Sequence, residues 1–399
     1  MKRATTICAK AAAAVLLVAG AASAAAVDPA VAAACDAPGF ATTLLPAADT
    51  AVVPARAVWL SQSLIRWPGA PAQGRYVLVS SARGALVAQA GQPVTGADDT
   101  LELASATEPV PAPLAERFKY VADGALLRAG DRDRARVTRA LRGQALVVRE
   151  DGQGRVLAAS ALQMAGALDD LYAPAGTLDD LGATRAQDAL RLALWAPTAQ
   201  AVRACVYPSA EGVASAVVDL ERDDATGAWR GLVAGAPGGR YYGYLVDVFV
   251  PGTGLVRNRV TDPYAVSLNA DSRRTWLGTL DDAATLPRDW RRDAAPATVK
   301  RSTDMAIYEL HLRDFSIGDA SVPAAHRGKY LAFTDANSAG MRHLRRLARA
   351  GLTDVHLLPV FDIASVPERG CMTPRIEGGP ADESQQVECS MAPLASRRW

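Results

Sequence analysis

The sequence predicts a multidomain protein with two mostly-β domains, followed by the start of a parallel strand-helix-strand arrangement. Its 399 residues are enough for two or three separate hydrophobic cores. Short apolar or alternating runs bounded by Gly, Pro or Asp recur up to about residue 290, which is typical of β-domains. After residue 300 the pattern changes to a strand, an amphipathic helix and a second strand, the order of a βαβ unit.

The charge balance argues against nucleic acid or an anionic membrane surface as a partner. Lys and Arg total 43 and Asp and Glu total 42, which gives a formal net charge of +1. Such a chain has no large field of one sign to attract a polyanion. We therefore expect an uncharged partner. Beyond the N-terminal region no segment is long and apolar enough to predict a membrane span.

The N-terminus has the pattern of an export signal. Lys2, Arg3 and Lys10 precede an apolar run over residues 11–22, and Ala22-Ser23-Ala24 supplies the small residues that signal peptidase requires. Residues 1–24 are therefore predicted to be a signal peptide, and the mature protein is predicted to be periplasmic or extracellular.

The cysteines leave several alternatives open. Cys35, Cys205, Cys371 and Cys389 are far apart and lack the spacing of metal ligands, so we expect no metal site and no cofactor, while calcium binding stays open. Cys371 and Cys389 could form a disulfide in an oxidising compartment or remain unpaired in a tail. Cys35 is an alternative site for a lipid anchor.

Composition divides the chain after the signal. Residues 25–57 are rich in Ala and Pro without periodicity and are predicted to be a linker. Residues 58–164 are predicted to form an N-terminal β-domain, in which Arg132 to Arg142 is either helical or a loop. Residues 165–290 are predicted to form a β-sandwich, and residues 291–302 a second linker. Strands of the sandwich are predicted at residues 190–195, 201–207, 216–220 and 241–250.

The helix of the βαβ unit has clear ends. Asn337 or Ser338 can cap its N-terminus, and Gly351 lies where a left-handed residue ends a helix. Its apolar face is formed by Met341, Leu344, Leu347 and Ala348. On the preceding strand, alternation predicts that Tyr308 faces the helix layer and that Glu309 and His311 face the opposite side.

Several segments together resemble one family. Tyr308 to Ser316, Arg327 to Phe333 and Gly351 to Ala364 closely resemble the opening of the catalytic barrel in pullulanases and limit dextrinases of the α-amylase superfamily. Arg191 to Ala199 and Val260 to Ala265 are similar to the isoamylase-type β-sandwich that precedes such barrels, and Ala57 to Leu60 with Ile65 to Pro68 is similar to the N-terminal β-domain of bacterial pullulanases. The resemblance implies that residues 303–366 begin a (β/α)8 glycoside hydrolase barrel, followed by a loop and an aberrant tail over residues 367–399.

The resemblance also implies a function. The family hydrolyses α-1,6-glucosidic bonds in pullulan, starch or limit dextrins with retention, using a carboxylate nucleophile and a general acid/base on later barrel strands. A closed barrel takes about 250 residues, and far fewer follow Met305. We therefore expect a truncated or frameshifted fragment without the catalytic residues, and we carry over none. The alternatives are a secreted, non-catalytic α-glucan-binding protein and a general interaction protein.

The residues predicted to contact an α-glucan are two tryptophans and one carboxylate. An aromatic ring covers the C–H face of a glucose unit, while polar neighbours bind its hydroxyls. Trp67, beside Pro68-Gly69, and Trp229, in a turn region, are predicted to play this part, whereas Trp195 lies in an apolar run and is predicted to be core. Asp362 follows the second barrel strand, where barrel enzymes build their sites.

Overall fold

The computed structural model describes residues 29–235, 239–283, 285–292, 299–358 and 360. The predicted signal peptide, Asp362, Cys371, Cys389 and the predicted tail lie outside these residues. The helices are α1 (Pro29–Cys35), α2 (Ala112–Arg117), α3 (Arg134–Ala140), α4 (Ala165–Leu171) and α5 (Ala339–Arg349). The strands are β1 (Ala41–Pro46), β2 (Ala57–Trp59), β3 (Leu64–Pro68), β4 (Arg75–Ser81), β5 (Asp99–Ser105), β6 (Gly124–Arg128), β7 (Gln144–Glu150), β8 (Val156–Gln163), β9 (Gly182–Ala186), β10 (Ala189–Trp195), β11 (Ala201–Tyr207), β12 (Ala216–Asp219), β13 (Glu221–Arg222), β14 (Ala228–Ala234), β15 (Tyr241–Val250), β16 (Gly254–Val260), β17 (Thr275–Trp276), β18 (Ile307–Leu310) and β19 (Asp354–Leu357).

Strands β2 to β8 close into a barrel in the order β2-β3-β6-β5-β4-β7-β8. Neighbouring pairs are antiparallel except the closing pair β2-β8, which is parallel. Alternation along β4 sends Tyr76 and Leu78 into the barrel core and Val77 and Val79 into a second cluster outside it. The Arg/Asp-rich stretch is helical, with a 3-10 turn at Asp131–Asp133 leading into α3.

The second β-domain is a sandwich of two sheets. One sheet has the order β1-β16-β15-β11-β12, with β17 also paired to β15, and the other has the order β13-β14-β10-β9. Their facing sides bury one apolar cluster, which includes Leu192, Val202 and Tyr244. The predicted sandwich is confirmed in its four strands, whose observed bounds agree to within one residue.

A buried polar network closes one end of the sandwich core. The Asp262 carboxylate accepts hydrogen bonds from the hydroxyls of Tyr242, at 2.6 Å, and Tyr244, at 3.1 Å. It also accepts one from the backbone N–H of Tyr264 at 2.8 Å. Burial raises the pKa of the Tyr242 and Tyr244 hydroxyls well above the usual value for tyrosine. Both hydroxyls therefore stay protonated and serve as donors to the carboxylate.

Residues 29–46, here called the N-terminal strap, belong to the sandwich. Strand β1 pairs antiparallel with β16. At the end of α1, Cys35 forms a disulfide with Cys205 on β11, 170 residues away, and both side chains are buried. The expectation of a linker over residues 25–57 is therefore wrong from α1 onward. The order of this segment comes from strand pairing and a covalent bond to distant residues, which local composition cannot show.

Further contacts fix the strap in place. The Tyr207 hydroxyl donates to the Cys35 carbonyl at 2.7 Å, and the backbone N–H of Ala214 donates to the Asp36 carboxylate at 3.0 Å. Gly254 has a φ of +116°, and a Cβ there would lie 2.1 Å from the Leu45 carbonyl oxygen. Only glycine therefore allows β1 to approach β16 at this point.

The barrel and the sandwich are joined by reciprocal hydrogen bonds. The Arg142 guanidinium donates to the carbonyls of Ala199, at 2.9 Å, and Gln200, at 3.1 Å. In return the Gln200 amide donates to the carbonyls of Ala82, at 2.8 Å, and Arg142, at 2.9 Å. Burial lowers the pKa of the Arg142 guanidinium from its usual value. The Arg142 and Gln200 side chains are thus both removed from solvent, and their polar groups are satisfied by hydrogen bonds between the two β-domains. The two β-domains therefore pack against each other.

The βαβ unit is present in the described part of the chain. Strands β18 and β19 pair in parallel, and α5 connects them. Ser338, rather than Asn337, is the N-cap of α5, because its side chain accepts a hydrogen bond from the Met341 N–H. The N–H groups of Gly351 and Leu352 bond to carbonyls of the last turn, which is a Schellman ending. The predicted helix and both of its ends are confirmed.

Among the described residues, no helix combines the length and the apolar character that a membrane crossing requires.

Candidate functional site

Trp67 and Trp229, which are predicted from the sequence to contact glucan, are core side chains. Trp67 is 5% exposed and lies inside the barrel, where its ring packs edge-on against Tyr76 at 6.0 Å. Trp229 is 6% exposed and lies between the two sheets of the sandwich. Neither ring presents a face to solvent, so neither can stack on a sugar in this structure. The third predicted residue, Asp362, lies outside the described residues.

Trp195 reaches the surface instead. The expectation that it is core is wrong, because the residue is 37% exposed on the outer face of the four-stranded sheet. Strand alternation gives the reason: Leu190, Leu192 and Leu194 point into the core, and Arg191, Ala193 and Trp195 point away from it. Trp195 lies an even number of residues from the charged Arg191, so strand alternation puts both side chains on the outer face. The apolar residues on either side of Trp195 obscure this signal in the sequence.

The indole of Trp195 is held in one orientation by a hydrogen bond. Its Nε1–H donates to the carbonyl of Thr226 at 2.9 Å. That carbonyl belongs to the turn between β13 and β14, in which the Thr226 hydroxyl donates to the Asp223 carboxylate at 2.6 Å. Gly227 completes the turn with a φ of +71°, and its N–H donates to the Asp223 carbonyl at 2.8 Å. A rigid turn therefore fixes the ring.

Charged side chains lie beside the ring on the same face. Arg230, on β14, makes a bidentate pair with Asp180 at 2.8 and 3.0 Å, and its second amino group lies 3.7 Å from Asp223. The hydrogen bond from Arg230 lowers the pKa of the Asp180 carboxyl, and the Thr226 hydroxyl lowers the pKa of the Asp223 carboxyl. Both carboxylates are ionised acceptors at neutral pH. An exposed ring beside fixed donors and acceptors can bind an uncharged molecule that has both apolar and hydroxyl groups.

The carboxylates of the barrel start are paired with their neighbours. Glu309 on β18 lies 3.4 Å from His356 on β19, and Asp314 lies 3.7 Å from His311 and 3.4 Å from Arg313. Both carboxylates are therefore engaged with neighbouring side chains of the barrel start. Within the described ranges, no cluster of three or more His, Cys, Asp or Glu side chains could hold a metal ion.

Comparisons with known proteins match both β-domains. Residues 54–170 match the Pullulanase N2 domain, and residues 180–265 match carbohydrate-binding module 48, the isoamylase N-terminal domain. The chain is 36% identical over 317 residues to chloroplastic pullulanase 1 of Arabidopsis thaliana, which covers 78% of this chain and 32% of that protein. It is 35% identical over 318 residues to pullulanase of Klebsiella pneumoniae, covering 79% of this chain and 28% of that protein.

The chain belongs to the pullulanase family. Its fold agrees with solved structures of the same family: the crystal structure of PulA from Klebsiella oxytoca has a TM-score of 0.72 at 32% identity, covering 87% of this chain and 32% of that one. The maltotriose complex of PulA from Klebsiella pneumoniae has a TM-score of 0.71 at 32% identity, covering 80% of this chain and 34% of that one. The chain spans about a third of the length of these pullulanases and corresponds to their N-terminal part.

Proposed function

We propose that this chain is the N-terminal, glucan-binding part of a starch-debranching glycoside hydrolase of the pullulanase type. The reaction would be hydrolysis of α-1,6-glucosidic bonds in pullulan, starch or limit dextrins. The observation that carries the proposal is the succession of a Pullulanase N2 domain, a carbohydrate-binding module 48 and a parallel βαβ unit in one chain, at more than 30% identity to two pullulanases.

The partner that we propose is an α-glucan. The module matched by residues 180–265 is a carbohydrate-binding one, and a similar solved structure is a maltotriose complex. The surface of this module in our chain offers an exposed indole and paired charges, which suit a neutral polyhydroxylated ligand. A secreted, non-catalytic glucan-binding protein remains the second candidate, since this surface needs no barrel residue.

In a pullulanase, the resemblance places the carboxylate nucleophile and the general acid/base on later barrel strands. A retaining glycosidase needs two carboxyl groups about 5–5.5 Å apart on either side of the scissile bond. The carboxylates at the start of the barrel are instead engaged with histidine and arginine neighbours. We therefore propose that this chain binds glucan and does not cleave it.

Export is the location that we propose. The N-terminal sequence has the pattern of a signal peptide. The Cys35–Cys205 disulfide supports the proposal, because disulfides persist in oxidising compartments such as the periplasm or the exterior. Since its sulfur is paired in this way, Cys35 does not carry a lipid anchor.

The test is retardation of the full chain in native gels that contain pullulan or glycogen, with bovine serum albumin as the mobility reference and a cellulose derivative as the control polymer. We expect retardation by both α-glucans and none by the control. A parallel assay should detect no release of reducing sugar from pullulan. Equal mobility in all gels would refute glucan binding, and turnover that copurifies with the chain would refute the separation of binding from hydrolysis.

A further inference from the structure

We propose that the free edge of strand β1 joins two copies of this chain into a dimer, in which the two edges pair antiparallel about a two-fold axis. This goes beyond the proposed function, because the edge belongs to the sheet opposite the one that carries Trp195. Strand β1 is the first in the order β1-β16-β15-β11-β12, so among the described residues its only strand neighbour is β16. The other edge of β1 is open to pairing.

The register of β1 shows which of its backbone groups point outward. In an antiparallel pair, opposite residues alternate between pairs that exchange hydrogen bonds and pairs that do not. The Arg259 N–H donates to the Phe40 carbonyl at 2.7 Å, and Thr42 lies two residues further along β1. Phe40 and Thr42 are therefore the residues that bond to β16. The N–H and C=O groups of Ala41 and Thr43 point away from β16, to the open edge.

These outward groups are accessible and fit a second, identical edge. Ala41, Thr42 and Thr43 are all exposed. In a two-fold arrangement centred on Thr42, Ala41 of each copy lies opposite Thr43 of the other. Each of these pairs then exchanges N–H···O=C bonds in both directions. Every outward N–H and C=O group of the two residues thereby gains a partner.

Charge does not oppose this pairing. Residues 37–48 contain no charged side chain, so two copies of the edge do not repel each other. The two arginines of the neighbouring strand β16 are engaged within their own copy. Arg257 pairs with Asp247 at 2.7 Å, and the Arg259 guanidinium lies over the ring of Phe40. We choose a second copy as the partner because it offers the same uncharged edge with matching outward groups.

The strand also limits how far the pairing can extend. A bulge between Thr43 and Leu45 shifts the register, and Pro46 has no N–H to donate. Both features blunt an edge, so pairing is confined to the few residues around Thr42. Such a contact is smaller than the roughly 1,600 Å² of a standard stable interface. The dimer is therefore weak and forms at high protein concentration.

The experiment is sedimentation velocity of the full chain, without reductant, over protein concentrations from micromolar to millimolar. The wild type should shift from monomer to dimer as the concentration rises. Thr43→Pro removes an outward N–H without removing a bond to β16, and proline is tolerated at such edge positions. This variant should raise the dissociation constant of the dimer at least about tenfold, because each copy loses a hydrogen bond to the other.

Thr43→Val is the matched control, because it keeps the backbone N–H and changes only the side chain. Its dissociation constant should equal that of the wild type. A wild type that stays monomeric over the whole concentration range would overturn the inference. Equal weakening of the dimer by Thr43→Pro and Thr43→Val would overturn it as well, since the backbone N–H would then not be the group that matters.

Hydrogen exchange of the wild type covers the case in which the proline variant does not fold. The N–H groups of Ala41 and Thr43 should exchange more slowly as the protein concentration rises. The N–H of Thr42 is the internal control: it bonds to β16 within the monomer, so its exchange should depend far less on concentration. A dimer that leaves the exchange of Ala41 and Thr43 unchanged would show that the copies associate elsewhere, for example through β18 and β19, and would overturn the inference.

Discussion

Trp195, on β10, and Trp229, on β14, lie on opposite faces of this strand pair. Each indole N–H donates a hydrogen bond to a backbone carbonyl next to the end of the other strand. Trp195 Nε1 donates to the Thr226 carbonyl just before β14, and Trp229 Nε1 donates to the Ala196 carbonyl just after β10, both at 2.9 Å. One ring fills the core and the other faces solvent. The two residues therefore make different contributions, and substitutions at the two positions should separate stability from binding.

The first prediction follows from that division. Trp229→Ala should lower the free energy of unfolding by about 3–5 kcal/mol, the usual cost of removing a large buried aromatic side chain. Trp195→Ala should cost only about 1 kcal/mol, mainly for the lost hydrogen bond, because its ring is partly in water already. Urea unfolding followed by circular dichroism measures both. Equal losses for the two variants would show that Trp195 also supports the core.

The same pair of tryptophans shows what the sequence could and could not predict. Period-two patterning placed β10 in a sandwich correctly, because backbone alternation is a local property. It did not predict β14, which forms where Trp229 was expected to lie in a turn region. Which face is buried depends on the position of the opposite sheet, and the apolar residues around Trp195 hid that information. The N-terminal strap was missed for a related reason, since its partners, β16 and Cys205, are distant in sequence.

The barrel start was predictable in greater detail. The N-cap and the C-terminal glycine of α5 are set by bonds within a few residues, so local sequence was enough for both. The parallel pairing of β18 with β19 followed from the strand-helix-strand order and the resemblance to pullulanases. A glucan site could not be located in this way, because it requires knowing which aromatic ring faces solvent.

The second prediction concerns the strap. Cys35→Ser, or reduction of the wild type with dithiothreitol, should lower the free energy of unfolding by about 2–4 kcal/mol, since the disulfide restricts a long loop of the unfolded chain. Thermal unfolding with and without reductant measures the effect. Dithiothreitol should cause no further loss in Cys35→Ser. Unchanged stability in Cys35→Ser, with a loss of this size only when dithiothreitol is added, would mean that another disulfide, and not this one, supports stability.

The third prediction is a loss of stability at alkaline pH. The folded protein keeps the buried Tyr242 hydroxyl protonated, whereas the unfolded chain releases that proton near pH 10. Above about pH 10 the folded state thus binds more protons, and stability falls as pH rises. Tyr242→Phe should reduce this fall by up to about 1.4 kcal/mol per pH unit.

Urea unfolding at several values between about pH 9 and pH 11.5, which bracket the ordinary tyrosine pKa, tests this slope. Tyr120→Phe is the control, because Tyr120 is 91% exposed and lies outside the buried network around Asp262. The control should leave the slope unchanged. An identical slope in wild type and Tyr242→Phe would show that other groups cause the alkaline loss.

The last prediction concerns the barrel start. Within the described residues, β18 and β19 expose apolar side chains, with Ile307 58% and Val355 42% in contact with solvent. Paired strands with such edges promote association between copies. Deleting the chain from Thr303 onward should therefore raise the soluble yield and leave the unfolding transition of the two β-domains unchanged, because their cores lie within residues 29–277. Expression yield, size-exclusion chromatography and calorimetry measure these effects. If the deletion instead lowers the free energy of unfolding of the β-domains by several kcal/mol, a large part of a domain's total stability, the βαβ unit packs against them as a structural element.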